Sequence, residues 1–433
     1  MSRVAIIGAG YAGLAAAVEL ADAGVTVTVF EASRTLGGRA RRLEINGLSV
    51  DNGQHLLIGA YRETLRLIGK VGGTPERCLR RQPFRLDFSD GFTLRAARLP
   101  APLHLGLALL KAPLSWSERH AAAGFIYRLK RNAFCIGADR TVAVLLDEFA
   151  QPPAVRRRLW EPLCLAALNT PPERASARVF AKVLHDSLGG SRAASDLLQP
   201  AVDLGRLFPE PAARFVAARG GRVATACPVR GICADGEGFR LDADAFTGPY
   251  RHVIVAVAAY HLPPLLAAHP VLDATIRQAA SLRHEPIATA YLAYAAHVRL
   301  PRPMIGMTSG HAQWLFDRGR LAGQDGLVAA VISAGGPWQG LTREELLADI
   351  HQAVSSVADG LPPPLWTRLI VEQRATFACA PNLERPPLRT PLPGLWLAGD
   401  YVASDYPATL EGAVRSGVAA ARSVIDELSG GQP

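Results

Sequence analysis

The apolar residues of this chain change their spacing several times, and each change marks an element. Val4–Ile7 is apolar throughout, the pattern of a short buried strand. Leu14–Ala23 is rich in Ala and Leu and predicts a helix, and Val25–Phe30 alternates apolar and polar residues as a strand does. A glycine turn joins the first strand to the helix, so the chain opens β-α-β. Residues from about 100 to 200 predict helices, with breaks at Gln151-Pro152-Pro153 and Thr170-Pro171-Pro172. Gly220–Phe246 alternates like a small β-meander, and His252–Tyr260 is a continuous apolar run of the kind found in buried parallel strands. Ile287–Val298 and Gly326–Ala334 predict further strands. Thr342–Ala358 predicts an amphipathic helix, with Thr342 and Glu345 spaced as a capping box. Leu395–Ala398 reads as the last strand, followed by a helix from near Pro407.

Parallel-type strands thus occur at the start, the middle and the end. The simplest arrangement is one α/β domain made of residues 1–74, 206–274 and 391–433. A second domain is then inserted as residues 75–205, with its helical part at about 100–200, and residues 275–390. A length of 433 residues agrees with two domains, because single cores rarely grow that large. At 49% apolar and 20% charged residues, the chain can bury a large core.

Net charge is +9, carried mostly by Arg; Lys70, Lys111, Lys130 and Lys182 are the only lysines. The densest basic clusters, Arg39-Ala40-Arg41-Arg42 and Arg156–Arg158, are too short to suggest nucleic acid. A solvated basic surface and attraction to anionic lipid headgroups both remain open. The cysteines at 78, 135, 164, 227, 233 and 379 form no C-x-x-C pair, which predicts cytoplasmic thiols rather than disulfides or a metal site. The apolar start reads as strand, turn and helix rather than a secretory leader. The nearest candidate for a membrane span, Leu99–Trp116, is broken by prolines, His104 and Lys111, so it suits a core or interfacial segment better than a span.

Chemistry concentrates in a few motifs. Gly8 to Gly13, "GAGYAG", fits G-x-G-x-x-G between a strand and a helix. Gly8 allows the tight turn, and Gly10 with Tyr11 and Ala12 lets backbone approach a pyrophosphate. Gly13 permits close helix packing, and the helix N-terminus faces the phosphates. Glu31, followed by Ala32, closes the next strand, where a carboxylate would accept from both ribose hydroxyls and disfavour a 2′-phosphate. Gly37-Gly38-Arg39 forms a second glycine turn with a cation, which a longer dinucleotide needs.

"EASRTLGGRA" resembles the second half of the FAD signature of the flavin amine oxidase and phytoene desaturase superfamily. The mid-chain "GGRVATACPVRGI" and the closing "GLWLAGD…EGAVRSG" resemble it too. The resemblance implies a Rossmann-type FAD-binding domain with an inserted α+β substrate domain. It implies that Val229 offers its backbone to adenine, that the Gly53-Gln54 loop approaches the flavin, and that Gly399-Asp400 binds the ribityl and phosphate end. The backbone at Ala408, Thr409 and Leu410 would then meet the flavin ring, where a helix N-terminus stabilises the reduced anion without a Lys or Arg. Gly412 and Gly417 would leave room for the ring and a neighbouring helix.

Asp51–Tyr61, Trp160–Ser176, Ser195–Phe215 and Tyr406–Gly417 are similar to the hydroxysqualene dehydroxylase branch. That branch implies reductive removal of an allylic hydroxyl from a lipophilic C30 isoprenoid in hopanoid synthesis. It also implies an unidentified electron donor and peripheral contact with the inner face of a membrane. No Lys follows Lys182, so the lysine that amine oxidases carry in their substrate-domain strands cannot be present. The leaving hydroxyl needs a proton donor. His55 is one candidate, and Glu161 beside Trp160 is another, since burial would raise its pKa. Asn169 and Tyr406 could bind the hydroxyl. A carotenoid-type desaturase and a non-catalytic prenyl carrier of the GDP-dissociation-inhibitor type are the competing functions.

Overall fold

A computed structural model describes residues 3–236, 238–358 and 360–430. Its nucleotide-type sheet is parallel, in the order Arg222–Ala224, Thr26–Phe30, Arg3–Ile7, His252–Val255, Leu395–Leu397. The central strands are buried on both faces, as their continuous apolar sequences require. The first helix, Tyr11–Asp22, packs on one face against the last helix, Leu410–Gly430.

The second sheet is antiparallel, in the order Met304–Gly306, Trp314–Asp317, Leu327–Ser333, His284–Ala293, Trp366–Phe377. The helix Arg343–Ser355 packs on it and carries the expected capping box between Thr342 and Glu345. A helical region between residues 103 and 195 includes Leu103–Lys111, Trp116–Arg131, Glu161–Leu168 and Ala177–Leu188.

Several element boundaries differ from the sequence expectation, for identifiable reasons. The first helix begins at Tyr11 rather than Leu14, because Gly10 already serves as its N-cap. The apolar run His252–Tyr260 is strand only to Val255; beyond it the chain turns at Ala256, against the glycine loop. The meander expected over Gly220–Phe246 splits: Arg222–Ala224 joins the parallel sheet, and only Val229–Asp235 and Gly238–Ala243 pair as a hairpin. The last helix starts at Leu410, with the Thr409 hydroxyl accepting from the Gly412 N–H at 3.1 Å.

Two glycines set the approach of these elements. Gly8 has φ +106°, and a Cβ there would stand 2.6 Å from the Ala256 carbonyl oxygen. A Cβ on Gly417 would stand 2.0 Å from the Ala12 carbonyl oxygen, so the first and last helices touch backbone to backbone. Gly417→Ala is therefore expected to lower unfolding stability by at least ~1–3 kcal/mol. Gly124→Ala, inside Trp116–Arg131 with nothing within 4 Å of the new methyl, is expected to raise it by up to ~1 kcal/mol. Urea denaturation of the two variants measures both signs.

Candidate active site

One continuous cavity of about 930 Å³ runs from the glycine loops into the helical region. That is the upper end of the ~300–1,000 Å³ typical of small-ligand sites. Among the residues singled out by sequence, its wall includes Gly8, Gly10, Tyr11, Ala12, Glu31, Ala32, Gly37, Gly38, Arg39, Gly53, Gln54, Val229, Gly399, Asp400, Ala408, Thr409 and Leu410. Gly13 lies behind the wall, where a Cβ would stand 1.9 Å from the Gly8 carbonyl oxygen. Gly417 likewise packs against Ala12, and Gly412 against Pro407 and Tyr406.

The polar groups at this end suit a dinucleotide. The first helix has no side-chain cap, so its N-terminal N–H groups face the cavity with the helix dipole behind them. Gly10 is open: a Cβ there would find only the Gly38 Cα, at 4.0 Å. The packing of the fold does not require its missing side chain, which leaves room for a ligand to approach the backbone closely. The Glu31 carboxylate accepts from the Ala9 and Ser33 N–H groups, each at 2.8 Å. Those bonds fix its orientation and leave lone pairs for a diol. Arg39 pairs with Asp400 at 2.6 Å and donates to the Ala375 carbonyl at 2.7 Å. The residues present thus fit a dinucleotide that ends at the Asp400 turn.

Two side chains that sequence reasoning missed hold that turn. Arg385 donates to the carbonyls of Asp400 (3.3 Å) and Tyr406 (3.0 Å), and also to that of Ser404. Glu411 is 0% exposed; it accepts from the N–H groups of Glu63 (3.1 Å) and Thr64 (2.9 Å), the Thr64 hydroxyl (2.8 Å) and Arg415 Nε (2.7 Å). The last helix is thereby clamped to the N-terminus of Arg62–Lys70, where a carboxylate is favoured. Only the spacing Glu411–Arg415 hinted at this in the sequence.

The far end of the cavity is apolar, with Phe84, Leu163, Phe180, Leu184, Trp314 and Phe316 on its walls. His55 is on the cavity wall, with Nδ1 3.1 Å from the Gly53 carbonyl. That contact places the hydrogen on Nδ1 and leaves Nε2 as an acceptor. Burial lowers the His55 pKa, so the ring is neutral near pH 7 and placed to accept rather than donate. Asn169 donates to Thr376 Oγ1 (2.9 Å) and the Pro286 carbonyl (3.3 Å) and accepts from the Ala334 N–H (2.7 Å), so its amide is occupied in joining elements. Burial and then Glu173 raise the Glu161 carboxyl, yet Glu161 is not on the cavity wall. The π-helical turn Arg156–Trp160 just before it shifts the phase of the helix. Tyr406 is on the wall, and its hydroxyl donates to Asp186 Oδ2 at 2.5 Å.

A family model described as flavin containing amine oxidoreductase matches residues 11–425. The chain belongs to this family. Its cofactor is FAD. A hydroxysqualene dehydroxylase of Rhodopseudomonas palustris is 32% identical over 98% of both chains. One from Zymomonas mobilis is 29% identical over 97% of this chain and 98% of its own. A zeta-carotene desaturase of Arabidopsis thaliana is 23% identical over 98% of this chain and 85% of its own. The fold matches that of cyclohexylamine oxidase from Brevibacterium oxydans, with TM-score 0.71, 21% identity and 99% of each chain covered.

Gly10→Ala separates the nucleotide site from the fold. Its purified protein is expected to keep the unfolding midpoint of the wild-type apoprotein and to bind FAD at least ~10-fold more weakly, about 1.4 kcal/mol. Flavin absorbance per chain and calorimetry measure the two. Asp51, beside the Asn52–His55 loop, accepts from the Leu204 N–H at 2.8 Å, and burial raises its pKa to about 6. A raised carboxyl favours the fold only while protonated. That advantage is complete below the unfolded value near ~4 and is lost as pH rises through about 6. Wild type should therefore lose up to ~3 kcal/mol relative to Asp51→Asn between pH ~4 and ~6 and run parallel to it above, as denaturation at each pH will show.

Proposed function

We propose that this chain is an FAD-dependent oxidoreductase that removes the allylic hydroxyl of hydroxysqualene and releases squalene. The observation that carries this is one continuous cavity, polar where the nucleotide motifs lie and apolar where a polyene would lie. Relatives bearing that activity in their names, alike over nearly the full chain, support it. The open Gly10 cradle also argues for a cofactor enzyme over an empty prenyl carrier.

Bound and reduced, FAD supplies the hydride that replaces the hydroxyl. The chain's part is to bind, orient and exclude water. The helix N-terminus after Gly10, Glu31 and the Arg39–Asp400 pair are the groups placed to hold the dinucleotide, and the backbone at Ala408–Leu410 to meet its ring. Residues 1–74, 206–274 and 391–433 form the cofactor-binding part in this scheme, and residues 75–205 and 275–390 the substrate-binding part. Apolar walls keep the slot dry, which strengthens every charge–dipole interaction within it. An external reductant must reload the cofactor between turnovers.

We further propose that the protein sits on a membrane surface through the Leu103–Lys111 and Trp116–Arg131 helices. Leu103 (61%), Leu110 (51%), Trp116 (73%) and Tyr127 (66%) are exposed there, although His104 and Ala108 are buried. Arg95, Arg98, Lys111, Lys130 and Arg131 are exposed around them and favour anionic headgroups. No helix among the described residues is long and apolar enough to cross a membrane.

Anaerobic photoreduced enzyme mixed with hydroxysqualene should reoxidise and yield squalene; unchanged reduced flavin would end the proposal. A desaturase would instead reduce oxidised flavin and lengthen the chromophore of its lipid. Wild type should sediment with phosphatidylglycerol vesicles, and Leu103→Ser/Trp116→Ser should bind them ~10-fold or more weakly. Equal sedimentation of the two would remove these helices as the contact.

A further inference from the structure

Among the described residues, the apolar end of the cavity carries one charged cluster, on the helix Ala177–Leu188. Lys182 and Asp186, one turn apart, both lie on the cavity wall, with the Lys182 Nζ 2.9 Å from Asp186 Oδ1. The other carboxylate oxygen accepts from Tyr406, and His185 Nδ1 lies 2.7 Å from Oδ1. Asp186 is thus held from two sides. Burial raises its pKa, but the bonds from Tyr406, His185 and Lys182 outweigh that and keep it a carboxylate. Lys182 makes no other hydrogen bond among the described residues, so two of its three N–H donors are unused. Arg39, Arg41 and Arg230 are the other Lys or Arg side chains on the wall, and all three lie at the nucleotide loops. The Lys182 ammonium stands 5.6 Å from the centre of the Tyr406 ring. Tyr406 is the residue just before Pro407 and Ala408, so this cation borders the place where the ring of the cofactor is proposed to end.

We propose that Lys182 binds and protonates the substrate's hydroxyl, with Asp186 as the positioning residue that fixes its ammonium and Tyr406 and His185 fixing Asp186. The inference rests on the function proposed above and adds the acid that function lacks. A Lys182 N–H proton passes to the carbinol oxygen. The carbon–oxygen bond breaks with its electron pair going to oxygen, which leaves as water. The carbon gains a hydride and is reduced; the flavin loses that hydride and is oxidised by two electrons. Lys182, left neutral, regains a proton from solvent. A reduced nicotinamide or, in the test, dithionite restores the flavin. An ammonium bound to a carboxylate in a mostly apolar wall suits this role, because the walls around it offer the leaving oxygen few competing donors.

Two measurements on Lys182→Gln, Lys182→Met, Lys182→Arg and Asp186→Asn test it. The first is single-turnover reoxidation of dithionite-reduced enzyme by hydroxysqualene. Lys182→Gln and Lys182→Met are expected to slow it ~100-fold or more at equal flavin content, since a placed acid contributes ~10²- to 10⁴-fold. Lys182→Arg should also be slow, because a guanidinium does not release its proton. The second is binding to the apoprotein, read from quenching of Trp314 on the cavity wall. Wild type, Asp186→Asn and Lys182→Arg should prefer hydroxysqualene over squalene, and Lys182→Gln and Lys182→Met should lose ~10-fold of that preference. A purely structural ion pair would move the unfolding midpoint and leave the preference intact. Wild-type rates in both Lys182→Gln and Lys182→Met, or an unchanged preference, would overturn the inference alone. Loaded wild type that never reoxidises with hydroxysqualene would overturn the function beneath it.

Discussion

The molecule depends on one contact between backbones. The first helix, the turn before it and the last helix approach so closely that side chains are excluded at Gly8, Gly13 and Gly417. Because these approaches involve carbonyl oxygens rather than flexible side-chain tips, they fix the relative position of both helices rigidly. The N-terminus of the first helix then points at the same cavity as the Thr409–Leu410 end of the last. Two dipole ends converge where an anionic dinucleotide would run, so backbone adds its positive potential to that of Arg39, Arg41 and Arg230 on the wall.

Charge is segregated along the cavity for the same reason. At the nucleotide end, polar groups are fixed by short bonds: Glu31 by two N–H groups, and Arg39 by Asp400 and a carbonyl. At the far end the walls come from the antiparallel sheet and the helices, and they are mostly apolar, with the Lys182–Asp186 pair as the charged groups among the described residues. A charge in such a wall is costly unless paired, which explains why Asp186 has three partners and Lys182 sits beside it. The lone pair of charges therefore marks a position in the slot, in the way that an isolated polar group fixes the orientation of any mostly apolar ligand.

The nucleotide end was legible in the sequence because its spacing reflects local geometry. A glycine that must let backbone pass, or a carboxylate that must close a strand, is tied to its neighbours within one β-α-β unit. The remainder depends on partners far away. The run from His252 ends as a strand at Val255 because Ala256 must meet Gly8 and Gly13. The segment at Arg222 pairs with Thr28 rather than with its own neighbours. Lys182 and Asp186 look like an ordinary exposed helix pair until Tyr406 is placed against them. The burial of Glu161 was legible, but its direction was not, since the π-helical turn before it rotates the helix.

The parallel sheet joins residues near 5, 28, 223, 254 and 396 side by side. No contiguous segment contains enough of it to close on its own. Each neighbouring strand after the first pair must be brought in across a loop of a hundred or more residues, or across one already folded elsewhere, and such closure slows folding. Until the Leu395–Leu397 strand docks, the His252–Val255 strand keeps an unpaired edge open to other chains. Chaperone demand and inclusion-body formation at high expression are the ordinary companions of that topology.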